Sequence, residues 1–175
     1  DSRVLTTIGK DCPWCGTRLV NLFDLDVSDT RLKYFPGVSK RLTVPLCFEC
    51  VKKGTLFSEP DKNAKWQLKS IAIGKTKNEV NLPQFRRNVK IAELDIEPLQ
   101  RRPFVGHISH LSWNWSQIGG LPTDLMAGNY PTCTDCDLTM KCIGQIAFRD
   151  WCFRGYFLGF VCERCQCVAS SFLPK

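Results

Sequence analysis

The chain has 175 residues, of which 43% are hydrophobic and 23% are charged, and its formal net charge is +7. That length can bury a hydrophobic core in one large domain or two small ones. The sequence has neither an apolar run of about 18 residues nor an apolar leader, so we expect no membrane span and no signal peptide. Eleven cysteines without a secretion signal predict reduced thiols in the cytoplasm.

The first predicted element is a tight turn around Cys12 and Cys15, in the sequence CPWCG. Two cysteines at this spacing direct both sulfurs at one metal ion, in a turn called a knuckle. Gly16 follows the second cysteine, and a residue that tolerates a left-handed backbone helps such a turn to close. The apolar-rich stretch 18–26 then predicts a strand whose polar face carries Asp24.

A second strand and a second knuckle complete the first half of the chain. Residues 42–47, LTVPLC, predict a strand that leads into the pair Cys47 and Cys50. The polar stretch 51–65, with its glycine and proline, is expected to be a loop. Two further strands are predicted at 66–74 and 89–99, with an exposed connection between them.

The same order of elements returns near the end of the chain. Cys133 and Cys136 form a knuckle in which Asp137 takes the place of the glycine. Strands are predicted at 139–147 and 158–162, and the second strand leads into Cys162 and Cys165. Residues 12–26 align with 133–147 without a gap, which places Leu22 on Ile143 and Asp24 on Gln145. Each half therefore follows the order knuckle, strand, connection, strand, knuckle.

This pattern predicts a mostly β fold with little helix. Two related zinc-ribbon-like units are expected, joined by a β-rich middle segment. We divide the chain into 1–60, 61–103 and 104–175, or alternatively into one compact pseudo-symmetric domain. In the pseudo-symmetric arrangement, we expect a surface between the halves that is available to a partner.

The paired cysteines predict two structural zinc ions, each held by four thiolates. The expected ligands are Cys12, Cys15, Cys47 and Cys50 for one ion, and Cys133, Cys136, Cys162 and Cys165 for the other. Redox-active pairs of the thioredoxin type, disulfides and an iron–sulfur cluster are the alternatives. A zinc with four thiolates carries a net charge of about −2, so two sites would lower the formal charge from +7 to about +3.

The remaining cysteines and the two histidines have simpler interpretations. Cys142 and Cys152 lie in apolar stretches and are expected to be small buried hydrophobic residues. Cys167 is two positions past Cys165 and could compete with it as a ligand. His107 and His110 are three apart, a spacing that sends them to opposite faces of a strand and argues against a shared metal.

The segment 112–148 resembles the YwqG-like bacterial proteins, a domain of unknown function. Gly119, Gly120 and Pro122 match their GG-x-P turn, and 143–146 matches their strand with a glutamine between hydrophobic residues. The version with a knuckle ahead of that strand is similar to the eukaryotic programmed cell death protein two family. The resemblance implies a mostly β protein with duplicated halves that acts by binding another protein, in a chaperone-like or immunity-like role. It brings no catalytic residues.

We therefore expect a non-enzymatic module that binds another protein and no membrane. No nucleophile–histidine pair or carboxylate pair stands out, and a zinc saturated by thiolates has no open position for a substrate. Trp113 and Trp115 are the expected partner-binding residues, with Trp14 as a further exposed candidate; the alternative is that Trp113 and Trp115 lie in the core. The second hypothesis is RNA or DNA binding through basic residues, namely Lys52, Lys53, Arg86, Arg87, Arg101 and Arg102.

Overall fold

A computed structural model describes residues 2–32, 35, 40–60, 66–73, 92–93, 116–119, 130–150 and 153–174. The described residues form ten strands and one short 3-10 turn, which confirms the prediction of a mostly β fold. The strands are β1 (Arg3–Asp11), β2 (Arg18–Asp26), β3 (Arg41–Leu46), β4 (Gly54–Pro60), β5 (Trp66–Ile73), β6 (Ala92–Glu93), β7 (Gln117–Ile118), β8 (Lys141–Asp150), β9 (Phe153–Val161) and β10 (Val168–Pro174). None of the described residues belongs to a helix long and apolar enough to cross a membrane.

The strands form two antiparallel sheets that pack on each other. One sheet has the order β3-β2-β1-β6, and the other has the order β5-β4-β10-β9-β8-β7. Residues of both sheets, among them Phe23, Val44, Ile143 and Phe157, belong to one buried cluster. The contact between the two sheets is packed hydrophobic core, and the expected partner surface between the halves stays a prediction.

The two predicted units are present as the hairpins β2–β3 and β8–β9, and their strand pairing is equivalent residue by residue. Val20 pairs with Leu46 as Lys141 pairs with Val161. Both hairpins carry a bulge at the same aligned position, between Asn21 and Phe23 in one and between Cys142 and Gly144 in the other. A bulge places one extra residue in a strand, and here the extra residues are the aligned, fully buried Leu22 and Ile143.

One pair of aligned positions is charged in the first hairpin and neutral in the second. In the first hairpin Arg41 donates to Asp24 through Nε at 2.6 Å and through Nη2 at 2.8 Å, and this raises the pKa of the guanidinium. Asp24 was predicted on the polar face of its strand, but it is buried at 9% exposure, and its charge is paired with that of Arg41. The aligned residues of the second hairpin, Gln145 and Tyr156, are both uncharged and buried. The halves therefore share their backbone pairing but differ in charge at this pair of positions.

The loop predicted over 51–65 is wrong in its central part. Strand β4 occupies Gly54–Pro60 and pairs with both β5 and β10. Its alternating side chains reach two cores, since Leu56 belongs to the cluster between the sheets and Phe57 to a second buried cluster. Strand β4 joins the sheet of the second half. The division into 1–60, 61–103 and 104–175 is not tested by this pairing and stays a prediction.

Strand β3 lies at an edge of its sheet, where an unpaired strand could attract another chain. Pro45 within it has no backbone N–H to offer. Its carbonyl oxygen accepts a hydrogen bond of 2.9 Å from the buried hydroxyl of Ser170 in β10. The two sheets are thus joined at this edge by a polar contact as well as by the core.

Candidate metal centres

The first cysteine cluster forms where two strand ends meet. The knuckle at 12–16 connects β1 to β2, and the knuckle at 47–51 follows β3. Since β2 and β3 run antiparallel, the start of one and the end of the other lie together, and their knuckles face each other. Sγ of Cys12 lies 3.6 Å from Sγ of Cys50, and Sγ of Cys15 lies 3.4 Å from Sγ of Cys47.

The second cluster is built in the same way on the hairpin β8–β9. Its knuckles are at 133–137, just before β8, and at 162–166, just after β9. Sγ of Cys136 lies 3.5 Å from Sγ of Cys162, and Cys133 and Cys165 complete the group. In each cluster the four sulfur atoms all lie within 4.8 Å of one another.

Both clusters fit a tetrahedral metal ion with four thiolate ligands. Zinc–sulfur bonds of about 2.3 Å place the sulfurs of such a site about 3.8 Å apart. The sulfur pairs above, at 3.4 to 3.6 Å, are close to that value. A disulfide needs about 2.05 Å, and the described cysteines are all free thiols. These groups could therefore each hold one metal ion, and four thiolates are ligands typical of zinc or of iron–sulfur centres.

Left-handed residues close three of the four knuckles. Gly16 has a φ of 69° and Asp137 a φ of 56°, as the sequence predicts, and Gln166 has a φ of 58° in the last knuckle. Each donates its backbone N–H to the carbonyl of the first cysteine of its knuckle, at 2.8 to 3.0 Å. In the knuckle at 47–51, Val51 makes the equivalent bond to Cys47 at 3.0 Å. The ligand geometry is thus set by local backbone hydrogen bonds.

The thiols of the first cluster differ in acidity. Burial acts to raise the pKa of Cys15, but hydrogen bonds from Thr17 and from neighbouring thiols outweigh it and lower that pKa to about 7. Burial raises the pKa of Cys47 to about 12 and also raises the pKa of Cys50. Four thiolates at this separation repel one another, and a bound dication offsets that repulsion.

The thiols of the second cluster also differ in acidity. A backbone hydrogen bond from Leu138 lowers the pKa of Cys136. Hydrogen bonding with Cys136, followed by burial, raises the pKa of Cys165 to about 12, and burial raises that of Cys162. The backbone N–H of Cys165 also lies 3.5 Å from Sγ of Cys162, as expected for a knuckle that directs N–H groups at a thiolate.

Several predicted residues can now be placed, and others fall outside the described residues. Cys142 is partly buried, and burial raises its pKa to about 12, in agreement with its interpretation as a small side chain in the interior. Lys52 pairs with Glu49 at 3.0 Å, so part of its charge is balanced locally. The residues outside the described part are Trp113, Trp115, Gly120, Pro122, Cys152, His107, His110, Arg86, Arg87, Arg101 and Arg102.

The turn at Gly119 lies beside the strand that carries Gln145. Gly119 has a φ of 72°, and its N–H donates to the carbonyl of Ile143 at 2.6 Å. The preceding residues Gln117 and Ile118 pair with Gln145 and Gly144 of β8. Gly119, the described residue of the GG-x-P motif, and the strand with Gln145 are therefore neighbours in the fold.

The structure also reveals contacts that the sequence analysis missed. Asp135, at the tip of the third knuckle, accepts hydrogen bonds from Lys69 of β5 at 2.6 Å and from the thiol of Cys167 at 2.9 Å. Lys69 also pairs with Glu59 of β4 at 2.9 Å. The residue at the tip of the first knuckle is Trp14, which is 41% exposed. The gap-free alignment of the two halves places Trp14 on Asp135. This change of residue type could have predicted that the tips of the two knuckles make different contacts.

Comparison with known proteins finds similarity to a protein of Salmonella typhimurium (strain LT2) described as "Uncharacterized protein YpfL". The two are 29% identical over 184 aligned residues. The alignment covers 97% of this chain and 40% of that protein, so the chain spans about two fifths of the length of the relative it matches. No protein-family model matches the chain. No solved structure shows a significant match to it.

Proposed function

We propose that the chain binds two structural zinc ions, one in each cysteine cluster. The observation that supports this most strongly is the formation of two four-thiol groups from paired CxxC knuckles on equivalent hairpins. A site with four protein ligands leaves no position for water or substrate, which is typical of structural zinc. Such an ion stabilises the fold directly, because the site does not exist in the unfolded chain.

The zinc-held hairpins form a non-enzymatic module that binds another protein in the cytoplasm. This part of the proposal is supported by Trp14, whose large apolar side chain is presented on a turn that a metal would hold rigid. Rigid presentation lowers the entropy lost on binding. The aligned residue of the other half, Asp135, is instead tied to Lys69 of its own chain. Trp14 is therefore the described residue best suited to anchor a partner.

A chaperone-like or immunity-like role follows from the resemblance to the YwqG-like proteins. In support of it, Gly119 and the strand with Gln145 are adjacent. Trp113 and Trp115 precede that turn in the sequence and remain proposed partner-binding residues. The partner is a protein, and this role requires no membrane and no catalysis.

The test is in-cell cross-linking of the full chain, followed by binding measurements with the captured protein. Trp14→Ala should weaken binding while both metal ions remain bound. Leu138→Ala is the matched control, because Leu138 is 48% exposed and follows the equivalent knuckle of the second half. Equal binding by the parent, Trp14→Ala, Trp113→Ala and Trp115→Ala would refute the proposed interface. Capture of RNA, with an affinity that falls steeply with salt, would favour the nucleic-acid hypothesis instead.

A further inference from the structure

The second metal centre has a fifth cysteine beside its four expected ligands. Cys167 is 3% exposed and packs in the same buried cluster as Cys133 and Cys162. Its thiol donates to Oδ2 of Asp135 at 2.9 Å, and Asp135 lies between Cys133 and Cys136 in the third knuckle. The side chain is therefore in contact with the cluster but donates to a carboxylate instead of belonging to the group of four.

The first metal centre has no equivalent thiol. The alignment that places Cys50 on Cys165 places Lys52 on Cys167. The ammonium group of Lys52 bonds Glu49 at 3.0 Å and cannot bind a metal while it is charged. Of the two groups of four cysteines, the second is thus the one with a spare soft ligand.

The ligand nearest to Cys167 in sequence is also one of the more exposed ones. Cys165 is partly exposed, whereas Cys133 and Cys162 are buried. Water can reach Cys165, so its bond to a metal is more open to exchange than the bonds of the two buried cysteines. A fifth thiol already at the cluster can bind the ion in its place without a new cysteine having to diffuse to it.

We propose that Cys167 is a reserve ligand of the second metal centre and replaces Cys165 when Cys165 leaves the ion. In the exchange the proton of the Cys167 thiol would pass through water to Cys165, and the Cys167 sulfur would bind the metal in its place. The bond between the metal and Cys165 breaks, and Cys165 takes up a proton. The number of thiolates and the charge of the site are unchanged. This inference rests on the proposed metal binding.

The first test compares two equivalent substitutions in the full chain, Cys165→Ala and Cys50→Ala. Metal content is measured by elemental analysis, and the ligand set by the sulfur-to-metal charge-transfer bands of the Co²⁺-substituted protein. The Cys165→Ala protein should retain about two metal ions and a four-thiolate spectrum, whereas Cys50→Ala should retain about one. Adding Cys167→Ala to Cys165→Ala should reduce the content to about one. Loss of an ion from Cys165→Ala alone would overturn the proposal, whereas a parent without metal would instead refute the proposed function.

A second measurement decides the question if Cys165→Ala does not fold. The single variant Cys167→Ala keeps all eight expected ligands, so its metal ions can be removed with a chelator and followed over time. Without the reserve thiol, the ion of the second centre should leave several-fold faster, while the ion of the first centre leaves at the parental rate. Cys142→Ala, which removes another partly buried thiol of the same half, should leave both rates unchanged. Equal release rates for Cys167→Ala and the parent would contradict the proposal.

Discussion

The ring of Phe23 in one sheet packs directly on Gly159 in the other: a Cβ added to Gly159 would lie 2.7 Å from Cδ2 of that ring. Gly159 pairs with Gly144, and the two glycines together leave the space that the ring fills. In the alignment of the halves, Gly144 takes the position of Phe23, and Gly159 that of Val44. Where the halves meet, a large aromatic side chain of the first half therefore packs against two glycines of the second half.

Gly159→Ala should destabilise the protein by about 1–3 kcal/mol, because the added methyl group overlaps the ring of Phe23 in a packed core. Phe23→Ala in the same chain removes both ring atoms that the methyl group would meet, Cδ2 and Cε2. The double variant should then be more stable than the sum of the single effects predicts, by about 1 kcal/mol. Chemical denaturation of the four proteins measures this coupling. Strict additivity would mean that the two residues are not in contact.

Replacement of an expected ligand should be far more costly than replacement of another cysteine. Cys12→Ser or Cys136→Ser removes one ligand from a closed site, and the expected loss is several kcal/mol. Cys142→Ala should cost about 1–2 kcal/mol, because that thiol lies outside both groups of four. For Cys152→Ala we predict a similar loss of about 1–2 kcal/mol. Thermal unfolding with metal analysis separates these cases, and a Cys136→Ser protein as stable as the parent would remove Cys136 from the ligand set.

Substitutions at two aligned left-handed positions, Gly16 and Asp137, should change the stability of the protein in opposite directions. Gly16→Val should destabilise the first knuckle by about 1–2 kcal/mol, because a branched side chain disfavours a φ of 69°. Asp137→Gly should instead be neutral or stabilising by up to about 1 kcal/mol, since it removes that strain from a φ of 56°. Thermal denaturation of the two variants tests the pair. Destabilisation by both would show that Asp137 contributes a contact beyond its backbone conformation.

The ion pair between Asp24 and Arg41 should contribute more than a fully exposed one. Asp24→Asn weakens a two-point contact to a mostly buried carboxylate, and the expected loss is about 1 kcal/mol. The control is Asp11→Asn, whose carboxylate meets Arg18 at 3.4 Å with both side chains exposed, and its effect should be below about 0.5 kcal/mol. Denaturation at low and high salt gives both values. Equal losses would mean that burial of Asp24 adds nothing to the pair.

The sequence predicted the knuckles and hairpins well because their determinants are local. The spacing within CxxC, the left-handed positions at Gly16 and Asp137, and the strand after each first knuckle all lie within short segments. The repeat added long-range information, because alignment of the halves also predicted that β2 and β8 are equivalent. Their strand pairing, including the bulge, confirms it.

What the sequence did not reveal depends on contacts between distant segments. The stretch 51–65 is mostly polar and contains a glycine and a proline, as is typical of a loop, but β4 forms within it because β5 and β10 pair with it on both sides. In the sequence, Gly144 and Gly159 are residues of a type that weakens a strand. Their role depends on a distant residue, because the ring of Phe23 packs over both of them. Asp135 likewise gains its role from Lys69, which is remote in the chain.

The account depends most directly on the metal content of the protein. Elemental analysis of the full chain, purified without added metal and under reducing conditions, should find about two zinc ions per chain. The sulfur atoms that surround them should be those of the two groups of four cysteines. Iron in place of zinc, or a metal-free folded protein with disulfides between the knuckles, would contradict the account.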